Sequence, residues 1–98
     1  MPERGSNVYL HLGADVVVKK DDIIAIMDME SSSLSRTTKE FLKNEEMMGR
    51  VINVDVENLP KSYVLVRYNK NSETFVYISP IATQTLLKRA NHSNLFDV

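Results

Sequence analysis

The sequence predicts an α+β domain, a mainly antiparallel sheet with two helices, and three observations predict it. Short segments rich in Val, Ile, Tyr and Phe recur along the 98 residues, several with period-two alternation. One stretch, running up to Met48, carries apolar residues at helical spacing instead. Neither an internal repeat nor a linker-like segment interrupts the chain, so the strands and helices belong to one unit.

The elements follow in order. Residues 1–7 are polar, include Pro and Gly and lack periodicity, so they are expected to form a flexible leader before a single domain over 8–90. Asn7 to Leu12 alternates, with Val8, Leu10 and Leu12 on one face and Tyr9 and His11 on the other, which reads as a strand. Gly13-Ala14-Asp15 makes a turn and Val16-Val17-Val18 returns as a second strand. After Lys19-Lys20-Asp21-Asp22, Ile23–Met27 reads as a strand that is apolar on both faces and hence interior. Ser31-Ser32-Ser33 offers helix caps; Leu34, Phe41, Leu42 and Met48 fall at i, i+7, i+8 and i+14. Thr37 with Glu40 also fits a capping box that would start the helix a turn later, and Gly49 is its stop. Val51–Val56 alternates as a strand. Ser62–Tyr68 and Thr74–Ser79 form an antiparallel hairpin across Asn69-Lys70-Asn71-Ser72. Ser79-Pro80 opens a second helix with Leu86, Leu87 and Ala90 on its apolar side and Lys88-Arg89 near its C-terminal end. Residues 91–98 read as a C-terminal tail.

Composition excludes several classes of function. With 43% hydrophobic and 26% charged residues the chain is an ordinary globular mix. It has no cysteine, which removes disulfide scaffolds, iron–sulfur sites and thiol nucleophiles. No apolar run approaches the roughly 20 residues of a membrane span, and no secretion signal opens the chain, so a cytoplasmic location is expected. The two histidines, His11 and His92, are eighty-one positions apart without ligand-like neighbours. His11 reads as a structural or interface residue and His92 as solvated. Asp15, Asp21, Asp22 and Asp28 fall at turns and strand ends, where Asp side chains organise backbone. There is no glycine-rich phosphate loop, metal-ligand spacing or useful carboxylate pair, so no enzyme, metal or cofactor is expected.

Binding is better supported. The net charge of −1 conceals an asymmetry: Met1–Glu57 holds seven basic and eleven acidic residues, whereas Asn58–Phe96 holds five basic residues and only Glu73 as an acid. Lys61 stands before the hairpin, Arg67 within it and Lys70 at its tip, with Lys19 and Lys20 in the early loop. These five are the candidate DNA-backbone contacts, since Lys and Arg reach phosphates directly. No helix displays an Arg/Asn/Gln set for major-groove reading, so phosphate and shape readout is expected. One small domain makes few such contacts, which predicts a homo-oligomer. Tyr9 and Tyr77, read as exposed, point the same way. The competing reading is an oligomeric scaffold or partner-binding module without direct DNA contact, favoured by the net charge and by Asp21-Asp22.

The residues also carry a resemblance. Tyr9-Leu10-His11-Leu12-Gly13, Val16-Val17-Val18, Asp22-Ile23-Ile24-Ala25-Ile26 and Asp28 come first. Thr38-Lys39-Glu40-Phe41-Leu42 and Pro60-Lys61-Ser62 follow, then Val76-Tyr77-Ile78-Ser79-Pro80-Ile81, Thr85-Leu86 and Lys88-Arg89-Ala90. This ordered set, over residues 8–90, resembles the RemB-like extracellular-matrix regulators of bacteria, related to RemA. The resemblance implies a cytoplasmic, non-enzymatic transcriptional regulator of extracellular-matrix and biofilm genes. It also implies a fold similar to LytTR-type DNA-binding domains, assembly into a homo-oligomeric ring, and a RemA-like paralogue as a possible second partner. RemA-like proteins hold DNA partly through arginines in the turn before the hairpin; here that stretch is Leu59-Pro60-Lys61-Ser62-Tyr63, with Lys61 its one base. Asp22 stands where such chains place an early arginine, beside Lys19 and Lys20.

Overall fold

A computed structural model describes residues 8–30, 35–69 and 72–96. The predicted leader 1–7, the serines 31–33, Leu34 and Lys70 lie outside the described residues. The chain folds as β1 (Tyr9–Gly13), β2 (Val16–Lys19), a 3-10 turn (Lys20–Asp22), β3 (Ile23–Asp28), α1 (Arg36–Met47), β4 (Val51–Asn53), β5 (Ser62–Val66), β6 (Phe75–Ser79) and α2 (Thr83–Phe96). The α+β class predicted from the sequence is the class observed.

Two sheets form. β1 and β2 make an antiparallel ribbon, and the remaining strands make a sheet in the order β3-β5-β6-β4. β3·β5 and β5·β6 are antiparallel, whereas β4 runs parallel to β6. β3 and β4 are thus parallel edge strands, and α1 is the crossover joining them over one face of the sheet. The ribbon turn is tight: Ala14 has φ +48°, and the His11 ring lies with Nε2 2.7 Å from the Ala14 carbonyl oxygen. Gly13, at φ +129°, lies against Pro80, whose Cδ would be 3.0 Å from an added Cβ.

Alternation of side chains assigns the two sheet faces. Register puts Ser62, Val64 and Val66 opposite Ser79, Tyr77 and Phe75. Val64, Val66 and the ribbon residues Leu10, Leu12 and Val18 close with Leu86 of α2 into the principal core, with Ile23, Ile26, Val54, Tyr77 and Ile81 packed at its margin. Ser62 and Ser79 are also fully buried there and satisfied. Ser79 Oγ donates to the Leu12 carbonyl at 2.6 Å and accepts from the Ile81 N–H at 3.0 Å. Ser62 Oγ donates to the Ile81 carbonyl at 2.7 Å and lies 2.7 Å from Thr83 Oγ1. Ser79 therefore ties β6 to the ribbon and Ser62 ties β5 to the start of α2, without leaving a buried donor unpaired.

α1 owes its limits to its ends. Ser35 is the N-cap, its Oγ accepting from the Thr38 N–H at 3.1 Å, so the helix starts ahead of the Thr37/Glu40 box. At the other end Gly49 takes φ +76°, its N–H donates to the Glu46 carbonyl and the Arg50 N–H to the Glu45 carbonyl, a Schellman closure. The same two residues meet again through their side chains: Arg50 Nε donates to Glu45 Oε1 at 2.7 Å. Glu45 is buried, and this hydrogen bond raises the Arg50 pKa against the opposing effect of desolvation.

Several expectations need correction. β3 is an edge strand, not an interior one. Its register shifts between Ile23 and Ala25, and Ile24 there is half exposed, so the run that looked apolar on both faces contains a bulge. β4 stops at Asn53 because Asn53 and Asp55 side chains accept the N–H groups of Asp55 and Glu57 and bend the chain away. The β5–β6 connection is longer than the predicted four-to-five-residue loop, running from Arg67 to Thr74. α2 begins at Thr83, three residues beyond Pro80, because Ser79 still belongs to β6. It continues to Phe96, through most of the segment read as a tail, which places Lys88 and Arg89 mid-helix. Tyr77 is half-buried, not exposed, and its hydroxyl meets that of Tyr68.

Candidate nucleic-acid interface

The four described candidate bases occupy the two ends of β5. At its C-terminal end the Arg67 N–H donates to the Asp22 carbonyl at 2.9 Å, joining Arg67 to the 3-10 turn. That turn is itself held by the Lys20 N–H donating to the Val8 carbonyl at 2.9 Å. Lys19, at the end of β2, Lys20 and Arg67 are therefore brought to one end of the molecule. Lys19 and Arg67 are exposed and Lys20 half-buried, with Asp21 and Asp22 in the same turn.

Lys61 is at the opposite end. Its N–H donates to the Ser79 carbonyl at 2.8 Å and its carbonyl accepts from the Met29 N–H at 2.9 Å. It lines an open recess of about 310 Å³ with Asp28, Glu30, Ala82, Thr83 and Gln84, where α2 begins. Six residues of extended chain separate Lys61 from Arg67, or about 20 Å. The sequence grouped these bases; the fold divides them into a cluster of three and a single lysine. In both places carboxylates are close at hand.

A second grouping of bases, Lys39 and Lys43 of α1, is no part of the candidate set read from the sequence. An open cleft of about 530 Å³ lies between α1 and the second sheet face. The helix contributes Lys39, Leu42, Lys43 and Glu46 to it. Met29 and the sheet residues Val51, Tyr63, Val76 and Ile78 supply the rest. The available signal was the spacing i, i+3, i+4, i+7, which puts those four helix residues on one side.

Among the described residues, no group of three or more His, Asp or Glu side chains is placed to hold a metal ion, and no helix is long and apolar enough to cross a membrane.

Comparison with known proteins agrees with the resemblance carried by the sequence. The family profile RemA-like, described as extracellular matrix regulatory protein A-like, matches residues 9–90. The chain is also 37% identical over 83 residues to extracellular matrix regulatory protein B of Bacillus subtilis (strain 168), a match covering 85% of this chain and 90% of that protein. The family match takes in both ends of β5, the whole of α1 and the start of α2. The chain belongs to the RemA-like family of extracellular matrix regulatory proteins.

Proposed function

We propose that this protein is a non-enzymatic transcriptional regulator of extracellular-matrix genes that grips the DNA backbone as a homo-oligomer in the cytoplasm. Membership of a family of matrix regulatory proteins is the observation that carries this reading. The arrangement of bases is compatible with it: Lys19, Lys20 and Arg67 form one contact point, Lys61 a second about 20 Å away. Lys70 belongs to the same proposal, although it lies outside the described residues. Four or five lysines and arginines per protomer release few counterions, so useful affinity at physiological salt requires several protomers on one duplex.

The test is binding to an AT-rich promoter-length duplex across a salt series, with mass followed by sedimentation velocity. The expected result is a large assembly whose log K falls steeply with log salt. Lys19→Ala/Lys20→Ala/Arg67→Ala should weaken binding on all sequences alike and flatten that slope by about three per protomer engaged, with Lys61→Ala adding about one more. Sedimentation as an 11.2 kDa monomer would remove the assembly, and unchanged binding by the combined variant would remove the residue assignment.

One observation favours a second reading, an oligomeric scaffold that engages a protein partner such as a RemA-like paralogue. Asp21 and Asp22 share the turn with Lys19 and Lys20, and Asp28 and Glu30 share the recess with Lys61. Like-signed phosphate approaching either place meets carboxylates as well as bases. A large assembly with no retention of DNA even at low salt would select this reading.

A further inference from the structure

We propose that the cleft between α1 and the four-stranded sheet binds a small amphipathic anion, a molecule with an apolar body and a single carboxylate head. At about 530 Å³ the cleft falls within the range of small-molecule sites, about 300–1,000 Å³. Its chemistry is divided. Leu42, Val51 and Ile78, each half-buried, offer an apolar lining suited to a hydrocarbon chain or ring, whose transfer from water is favourable. Lys39 and Lys43 stand one helical turn apart at the rim, close enough for one carboxylate to lie between two ammonium groups.

Charge selects the head group. Neither lysine takes part in an ion pair among the described residues, whereas neighbouring Arg36 and Glu40 pair with each other at 3.4 Å. Among the described residues Glu46 is the one acid lining the cleft, so their charge at the rim is net positive. A cationic head would meet two ammonium groups there. Tyr63 supplies a further donor: it is half-buried, lines the same cleft, and its hydroxyl has no hydrogen-bond partner among the described residues. A carboxylate held by Lys39 and Lys43 with its chain along Leu42 and Ile78 would satisfy these groups together. The site shares none of the candidate DNA contacts and stands independently of that reading.

Decanoate is the probe, with decanol as its uncharged counterpart, each titrated into the full-length protein below micelle-forming concentrations and followed by amide chemical shifts. The expected result is saturable decanoate binding with shifts centred on Leu42, Tyr63, Val76 and Ile78, and about tenfold weaker binding of decanol. Lys39→Gln/Lys43→Gln should bring decanoate down to the decanol level and leave decanol unchanged. These exposed substitutions leave the core intact, and the amide spectrum reports that directly. Absence of saturable binding, shifts centred elsewhere, or equal affinity for decanoate and decanol would each overturn the proposal.

Discussion

The two faces of the four-stranded sheet are covered by different means. One face receives a ribbon and a helix, and Leu12, Val64, Val66 and Leu86 are completely removed from solvent. The other receives α1 alone: Val76 is fully buried there, while Tyr63, Leu65, Ile78 and Val51 remain half-buried beside an open cleft. α2 is held by its face through Leu86 and at its start by Ser62, whose Oγ lies 2.7 Å from Thr83 Oγ1. α1 has its own ends closed, by the Ser35 cap and the paired Glu45–Arg50 bonds, and leaves Phe41 and Leu42 only half-buried. Such closure satisfies the orphan backbone groups of the helix locally, so they place no demand on the sheet and space can remain beneath the helix. The closed face therefore carries stability, and the other face is where a ligand has room.

The largest effect should come from testing that division directly. Leu86→Ala removes a side chain from the closed face and should cost about 2–5 kcal/mol, with the transfer and cavity terms adding. Leu42→Ala, at the edge of an existing cleft, removes less burial and leaves no new enclosed cavity, so about 1 kcal/mol is expected. Denaturant midpoints at constant m-value measure both. Equal losses would show that α1 is packed as tightly as α2.

The glycines give a smaller contrast of the same kind. Gly13→Ala combines a φ of +129° with a Cβ 3.0 Å from Pro80 Cδ and 3.4 Å from Val54 Cγ2, so both backbone and closed-face packing must yield. Gly49→Ala meets nothing within 4 Å and suffers only from its φ of +76°. About 1 kcal/mol is expected at Gly49 and more than 2 kcal/mol at Gly13. Thermal melts separate them, since 1 kcal/mol shifts the midpoint of a domain this size by about 4–8 °C.

Legibility in the sequence followed the same division. Features set by nearest neighbours along the chain were readable: the alternation that buries Val8, Leu10 and Leu12, the helix ending before Gly49, and the β5–β6 hairpin. Features set by side chains turning back on the backbone were not. Asn53 and Asp55 end β4 through such bonds, and Ser79 stays in β6 because its hydroxyl bridges to Leu12, sixty-seven residues away. The bulge at Ile24 made an edge strand resemble an interior one. For the candidate contacts, residue type was visible but position was not. The spacing of Lys61 and Arg67 along a strand gives their separation, but nothing in the sequence shows that Arg67 joins the turn holding Asp22.

The smallest effect concerns where the closed face ends. Tyr68 and Tyr77 share a hydroxyl–hydroxyl hydrogen bond there, and the Tyr68 ring lies 6.0 Å from that of Phe75. Partial burial, then the bond to Tyr77, pushes the Tyr68 pKa up to about 12 from the usual 10.0. The direction of the pH effect follows from which state binds the proton. Between pH 10 and 12 the unfolded chain releases the Tyr68 proton while the folded chain keeps it, so stability declines as pH rises through that window. Below pH 10 the contribution is fully present. Absorbance titration should show one of the four tyrosines ionising late in the folded protein. Tyr68→Phe should remove that late step and reduce the fall in stability between pH 10 and 12. A late step that persists in the variant would belong to another tyrosine and place Tyr68 in open water, and the dry face would then stop at Tyr77.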